Sequence, residues 1–240
     1  MKKTKDLTEI LRNFKPKKNS FNSYLETDDA LFHYTKLSIL SQILTKNRFN
    51  LSTFYQTNDP KEYKDQLFGI DWHFVNDHID VSKGNAQASI NSILRHKMRV
   101  MFLCTNRNQN TDQSVKSIGW KKARMWSEHG DRHYGSCIVF SKNKLENYLK
   151  KKFKNEYYEF GFVKYTEYDN KYNKALQIDS VKLDQMDNIE SYSLYHVKKY
   201  IEYFCFQKNV DYQDESEYRV IIYDKNNNNM FLNISEFRSN

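Results

Sequence analysis

The chain has 240 residues, with Lys+Arg 38 against Asp+Glu 30 and a formal net charge of +8. A mean hydropathy of -0.88, with no run near the ~20 apolar residues of a membrane span, excludes a helical integral membrane protein. The basic balance reads first as an ordinary solvated, lysine-rich surface, and it also suits anionic partners such as nucleic acid.

Hydrophobic residues make up only 39%, but 18 Tyr and 16 Phe supply large rings, so a core can be built mainly from aromatics. With 2 Pro and 6 Gly there is no flexible linker, and a single domain over 1–240 is expected, with a basic helical extension over 1–28 and a core over 29–240. The basic N-terminus has no apolar stretch ahead of a small-residue cleavage site, which argues for a cytoplasmic protein. Cys104, Cys137 and Cys205 stand far apart, in neither a zinc spacing nor an even disulfide set. They read as buried, reduced thiols.

In chain order, 7–14 reads as a short basic helix and "LFHYT" (31–35) as a strand. Leu37, Leu40, Ile43 and Leu44 fall at helical spacing, and Asn47 suits the end of that helix. "RFNLST" (48–53) returns as a strand. Asn58, Asp59 and Pro60 then suit the start of a helix that runs to 79. A helix over 86–97 leads into the strand "RVMFLCT" (99–105). Strands over 134–141 and 156–165 flank a helix over 143–153, and an aromatic helix over 188–207 precedes the strand "EYRVIIYD" (217–224). "NNNN" (226–229) suits a turn sending that strand back into "MFLNIS" (230–235). The sum is α+β, with strands from both ends of the chain and helices inserted between them.

Four segments carry groups fit for chemistry. On a strand, His33 and Thr35 share a face with Leu31 while Tyr34 points the other way. By itself His33 reads first as a core histidine with a satisfied hydrogen bond, and only second as the edge of a site. Ser52, Thr53 and Tyr55 close the next strand, and Tyr63 lies on the first turns of the helix opened by Asn58-Asp59-Pro60, which is also good capping chemistry without function. Glu128, His129, Asp131 and His133 invite a metal, but their spacing matches no defensible ligand pattern and a turn at Gly130 would scatter them. Glu217 opens the late strand with Arg219 on its own face, which makes either a surface salt bridge or a carboxylate held in orientation.

Read together, these segments resemble the bacterial family known as domain of unknown function 2971. The shared motifs are His33-Tyr34-Thr35, Asn58-Asp59-Pro60-Lys61-Glu62, Met125-Trp126 with Gly135 to Phe140, and Glu215-Ser216-Glu217-Tyr218-Arg219. One difference is that the family often has His-Tyr after "MWS", where this chain has Glu128-His129. The family in turn resembles a divergent ADP-ribosyltransferase-like fold, in which a His-x-Thr strand, a hydroxyl- or Tyr-bearing second strand and a late Glu strand follow in order.

That resemblance implies NAD as the substrate cofactor. His33 would bind the adenosine ribose with Thr35 in support, while Ser52, Tyr55 or Tyr63 would frame the nicotinamide. Glu217 would be catalytic, holding the 2′-hydroxyl of the nicotinamide ribose beside Arg219, and Asn58, Asp59 and Trp126 would support the site. It further implies a macromolecular acceptor, nucleic acid or protein, and a role such as toxin, effector or anti-phage defence protein. Two other functions stay open: a non-catalytic module that binds NAD, ADP-ribose or nucleic acid, and a metal-dependent nuclease or hydrolase built on 128–133.

Overall fold

The computed structural model describes residues 18–57, 59, 62, 64–70, 81–106, 118–167, 173–226 and 230–237. The short helix α1 (Lys18–Tyr24) leads into β1 (Ala30–Thr35), α2 (Leu37–Lys46), β2 (Arg48–Asn50), β3 (Ser52–Thr53) and β4 (Gly69–Ile70). Helix α3 (Val81–Ser92) continues as a π turn over Ile93–Lys97 into β5 (Met98–Cys104). Next come α4 (Ala123–Glu128), β6 (Ser136–Ser141), α5 (Lys142–Lys152), β7 (Tyr158–Phe162), β8 (Lys164–Thr166) and β9 (Gln177–Ile178). The last third carries α6 (Ser180–Asp184), α7 (Ile189–Lys199), α8 (Ile201–Cys205), β10 (Gln207–Asn209), β11 (Glu217–Tyr223) and β12 (Phe231–Asn233).

The main sheet runs in the order β6-β1-β5-β11-β7, with β3 pairing β5 beside this path. The architecture is α+β. Register follows side-chain chemistry: Tyr218, Val220 and Ile222 on β11 sit opposite Leu103, Met101 and Arg99 of β5. The three β11 residues share one apolar cluster with Leu31, Met101, Leu103 and the α5 residues Leu145 and Leu149. Ile221 and Tyr223 turn to the other face, where Met98, Val100, Ile90, Tyr192 and Val197 form the second cluster under α3 and α7. Each face therefore buries one half of a period-two pattern, which pins the register, because a slip of one residue would invert every side chain.

Helix α2 ends where the sequence indicates: Asn47 takes the left-handed conformation (φ 51, ψ 33) and its N–H donates to Ile43 O. Three expectations change. Residues 64–70 are not helical; β4 pairs parallel with β9 instead. The backbone there is satisfied from α3, since Gln66 N–H donates to Asn91 Oδ1 at 2.8 Å and Asn91 Nδ2 returns a bond to Gln66 O at 3.0 Å. Those side-chain bonds displace the helical ladder ahead of Gly69, a poor helix former. The expected helix over 188–207 breaks at Tyr200 (φ -116, ψ 27) into α7 and α8, and its end becomes β10. Finally, β12 pairs with β2 instead of folding back on β11. Residues 7–14 and 71–79 fall outside the described residues, and no described helix is long and apolar enough to cross a membrane.

Candidate functional site

The site begins with an interruption in the ladder of β5. One edge of this strand is paired with β11 along its length, from Glu217↔Cys104 to Tyr223↔Met98. The other edge is shared: β1 pairs at Phe32↔Cys104, and β3 pairs at Ser52↔Val100 and Thr53↔Arg99. Among the described residues, no strand pairs with Met101–Leu103 on that edge. In this gap the His33 imidazole takes the place of a peptide, with Nδ1 3.0 Å from Phe102 O. A carbonyl only accepts, so Nδ1 carries the proton and Nε2 is left as an acceptor. Burial holds this imidazole below its ordinary pKa, hence neutral, and its ring packs edge-on against Phe49 at 4.7 Å.

A cleft of about 210 Å³ opens at the gap. Phe102 and Cys104 of one sheet face line it together with Leu103 and His33 of the other, so it cuts into the sheet instead of lying over it. Ser52 lines it from β3, Asp59 and Glu62 from the segment after β3, and Glu128 and His129 from the end of α4. Lys208, Tyr212, Glu215 and Glu217 close it from the C-terminal third.

Beneath this cleft lies a buried charge network. Arg219 is fully buried; its Nη2 lies 2.6 Å from Glu217 Oε2 and 2.5 Å from Glu62 Oε1, and Nη1 donates to Cys205 O at 2.7 Å. Lys208 Nζ lies 2.8 Å from Glu215 Oε2 and 3.7 Å from Glu217 Oε2. Burial works against the charge on Glu217, but Arg219 and then Lys208 outweigh it and hold the carboxyl below its ordinary range. Glu215 goes the other way: burial, and then the charge of Glu217, push it up to about 7. Two carboxylates two residues apart are thus set to different protonation behaviour, a pattern that separates acid–base roles. Burial also lowers the pKa of His129, which lies partly under the same cleft wall.

The turn presenting these carboxylates is fixed from outside. Ser216 adopts φ 45, ψ 58, an uncommon conformation for a residue with a Cβ. Thr105 N–H and Oγ1 both donate to Ser216 O at 2.9 Å. Lys122 Nζ donates to Asp214 O at 2.8 Å and Glu215 O at 3.1 Å, and Arg124 Nη1 donates to Asp214 Oδ1 at 2.9 Å. Tyr165 Oη accepts from Glu217 N–H at 2.8 Å.

The expected site residues divide into three groups. His33, Ser52, Asp59 and Glu217 meet in the cleft. Thr35, Tyr55, Trp126 and Arg219 are not among the described residues lining it. Thr35 is buried, whereas Tyr55 is 56% exposed and packs beside His96 and Arg95. Arg219, expected at the cofactor, instead sits behind Glu217 and positions it. Trp126 supports from below, with its indole N–H donating to Trp120 O at 2.7 Å and its ring edge-on to Tyr34 at 5.1 Å. Asn58 and Tyr63 lie outside the described residues.

Tyr34, expected to turn away, lines the cleft and donates to Gly119 O. Its strand face is that of Phe32 and Cys104, hence of Glu217, while His33 reaches the same space only through the gap. Lys122 and Glu62 are not among the expected site residues because their partners stand far away in sequence, and Lys208 is not because the turn over 210–215 that brings Glu215 back to it follows no local sequence pattern. Cys104 and Cys205 are buried and Cys137 is half-buried, all three reduced. Gly135 of the shared motif has a steric reason: a Cβ there would collide with Thr35 O and the Gly130 backbone.

Among the described residues, Glu128, His129 and Glu215 could hold a metal ion, with ligand atoms within 4.8 Å of one another. Asp131 and His133 are not part of that group, and both adopt left-handed backbone, φ 50 and φ 73. Each carboxylate of the trio already carries a protein cation, Arg124 on Glu128 at 2.9 Å and Lys208 on Glu215 at 2.8 Å.

Residues 125–220 match the family described as protein of unknown function (DUF2971). This stretch belongs to that family. It contains Met125 to Glu128 of α4, Gly135 and the strand β6 with Phe140, and the Glu215-to-Arg219 turn and strand, while His33 and the Asp59 segment stand outside the matched residues. Comparison with curated proteins and with solved structures finds no match.

Proposed function

We propose that the chain binds NAD in the cleft and breaks its nicotinamide–ribose bond, passing ADP-ribose to a macromolecule, nucleic acid or protein, or to water. The α+β architecture is, on this reading, a divergent ADP-ribosyltransferase-like one. The observation that carries the proposal is Glu217, a buried carboxylate kept ionised by Arg219, in one cleft with His33 and Ser52 from the far end of the chain.

Cleavage sends the bonding electron pair to the nicotinamide nitrogen and leaves positive charge growing on the ribose. An ionised carboxylate already fixed in a poorly hydrated site stabilises that charge without reorganising. Arg219 and Lys208 both engage Oε2 of Glu217, so Oε1 is the oxygen available to a ribose hydroxyl. Nε2 of His33 is the acceptor for a second hydroxyl. The incoming nucleophile must lose a proton as it bonds to the ribose carbon, and Glu215, with its pKa near 7, is tuned to take it. At about 210 Å³ the cleft is smaller than the ~300–1,000 Å³ of typical ligand pockets, so it encloses the scissile end of the dinucleotide, not the whole of it.

The test is nicotinamide release from NAD, with nucleic acid, protein and water as acceptors. Glu217→Gln is expected to lower the rate at least ~10²-fold, the scale of losing one preorganised electrostatic group. No release by the wild type with any acceptor overturns the enzymatic proposal. Calorimetric NAD binding that survives Glu217→Gln would then favour a binding module. A second function, metal-dependent hydrolysis, rests on the Glu128–His129–Glu215 trio, and absence of bound metal together with full activity in chelator removes it.

A further inference from the structure

Residues 142–154, comprising α5 and the turn after it, hold six lysines, Lys142, Lys144, Lys150, Lys151, Lys152 and Lys154, against Glu146 as the one acid. Among the described residues, these lysines form one salt bridge, Lys150 to Glu146 at 3.8 Å. Leu145, Tyr148 and Leu149 bury the opposite side of the helix, so the surplus charge faces outward. Solvation alone asks for polar groups there, not for one sign of charge.

Beside this helix runs β7, the last strand of the main sheet. Its Tyr158, Phe160 and Phe162 lie opposite Ile222, Val220 and Tyr218, on the α5 side, and all three are half-buried. The Tyr158 and Phe160 rings are near parallel, at 15° and 6.1 Å between centroids. Lys150 Nζ sits 5.4 Å from the Phe160 centroid and Lys142 Nζ 5.7 Å from that of Phe162. On the far flank of α5, Lys152 and Arg48 share the Phe231 ring at 5.1 Å and 4.3 Å. Cations and ring faces thus alternate along the strip.

We propose that the strip formed by α5 and the edge strand β7 binds single-stranded nucleic acid. Lysines in excess of the one acid of α5 meet phosphates, and the partly exposed rings of β7 offer bases a stacking surface, the pairing on which single-strand binders rely. A duplex hides its base faces. A membrane would call for protruding apolar side chains, and the exposed ones among the described residues (Phe21, Leu37, Ile39, Leu67 and Val181 among them) belong to neither α5 nor β7. The proposal stands apart from the NAD cleft, so either can fail alone.

Fluorescence anisotropy of labelled oligothymidine, titrated with the full chain at several salt concentrations, tests it. Parallel titrations use a duplex of equal length and phosphatidylserine-containing vesicles. The oligomer is expected to bind more tightly than the duplex, with a dissociation constant of about 10⁻⁴–10⁻⁶ M at physiological salt. Reversing Lys142, Lys150 and Lys152 to Glu is expected to reduce the slope of log affinity against log salt by about 2, at ~0.7 per lost phosphate contact. Tyr158→Ser is expected to erase the preference for single strands while leaving the salt slope. Because Tyr158 packs against the core, the exposed pair Lys150→Gln and Lys151→Gln, which removes no buried side chain, must also weaken binding. No oligomer binding, equal or tighter duplex binding, binding to vesicles alone, or an unchanged affinity in both lysine variants overturns the proposal.

Discussion

The two edges of β5 make opposite use of the same strand. On the β11 edge the pairing runs unbroken from Cys104 to Met98, and Val220, Ile221 and Ile222 beside it are fully buried. On the other edge, β1 and β3 hold only the ends, and polar groups gather where the ladder stops. A continuous ladder satisfies every backbone group and leaves side chains free to be apolar. A gap leaves carbonyls such as Phe102 O needing another donor, here His33, and makes room for a cleft. The contrast shows that stability and chemistry are divided between two sides of one strand, with Glu217 crossing between them, on the continuous edge by backbone and at the cleft by side chain, and Arg219 holding it from behind.

The largest effect should come from Arg219→Met. It strands Glu62 and Glu217 as buried carboxylates, and breaking one partner of such a network typically costs about 3–5 kcal/mol, measured by urea unfolding. A loss below ~1 kcal/mol would mean that the network adds little to stability and that the gap side is cheaper to alter than the geometry implies. On the continuous edge, Ile222→Ala should cost about 2–5 kcal/mol and leave nicotinamide release per folded molecule unchanged. If turnover fell with it, the separation of the two edges would break down.

Glu215→Gln should act through pH. The folded pKa of about 7 lies above the ordinary 4.5, so the folded chain keeps a proton that the unfolded chain releases between these values. The associated stability is fully present below pH 4.5 and is lost as pH rises through about 7, and the Gln variant should flatten this fall in a pH series of unfolding midpoints. An unchanged slope would remove Glu215 as the titrating group. The smallest effect is expected for Tyr55→Ser, within about 0.5 kcal/mol and without change in NAD affinity, because the ring is exposed outside the cleft. A drop in affinity would restore Tyr55 to the site.

Much of the fold was legible in local pattern. Alternation in "EYRVIIYD" separated Glu217, Arg219 and Ile221 from Tyr218, Val220 and Ile222, and the two apolar clusters keep that division. Asn47 as a helix end was legible because αL geometry is a single-residue preference. What failed was non-local: residues 64–70 left the helical state because Asn91, 25 positions beyond Gln66, supplied the competing bonds.

For the candidate site, residue type and order along the chain fix which chemical groups are present, and the family resemblance is what links His33 with Glu217. The sequence by itself also set the strand alternation that puts Tyr34 and His33 on opposite faces. Only the tertiary structure decided that both line one cleft, because this depends on where the ladder between β1 and β5 stops. Likewise it decided that Arg219 stands behind Glu217 and that Lys208 and Glu62 complete the network. Burial and charge pairing are sums over neighbours brought from distant parts of the chain, so no local spacing contains them.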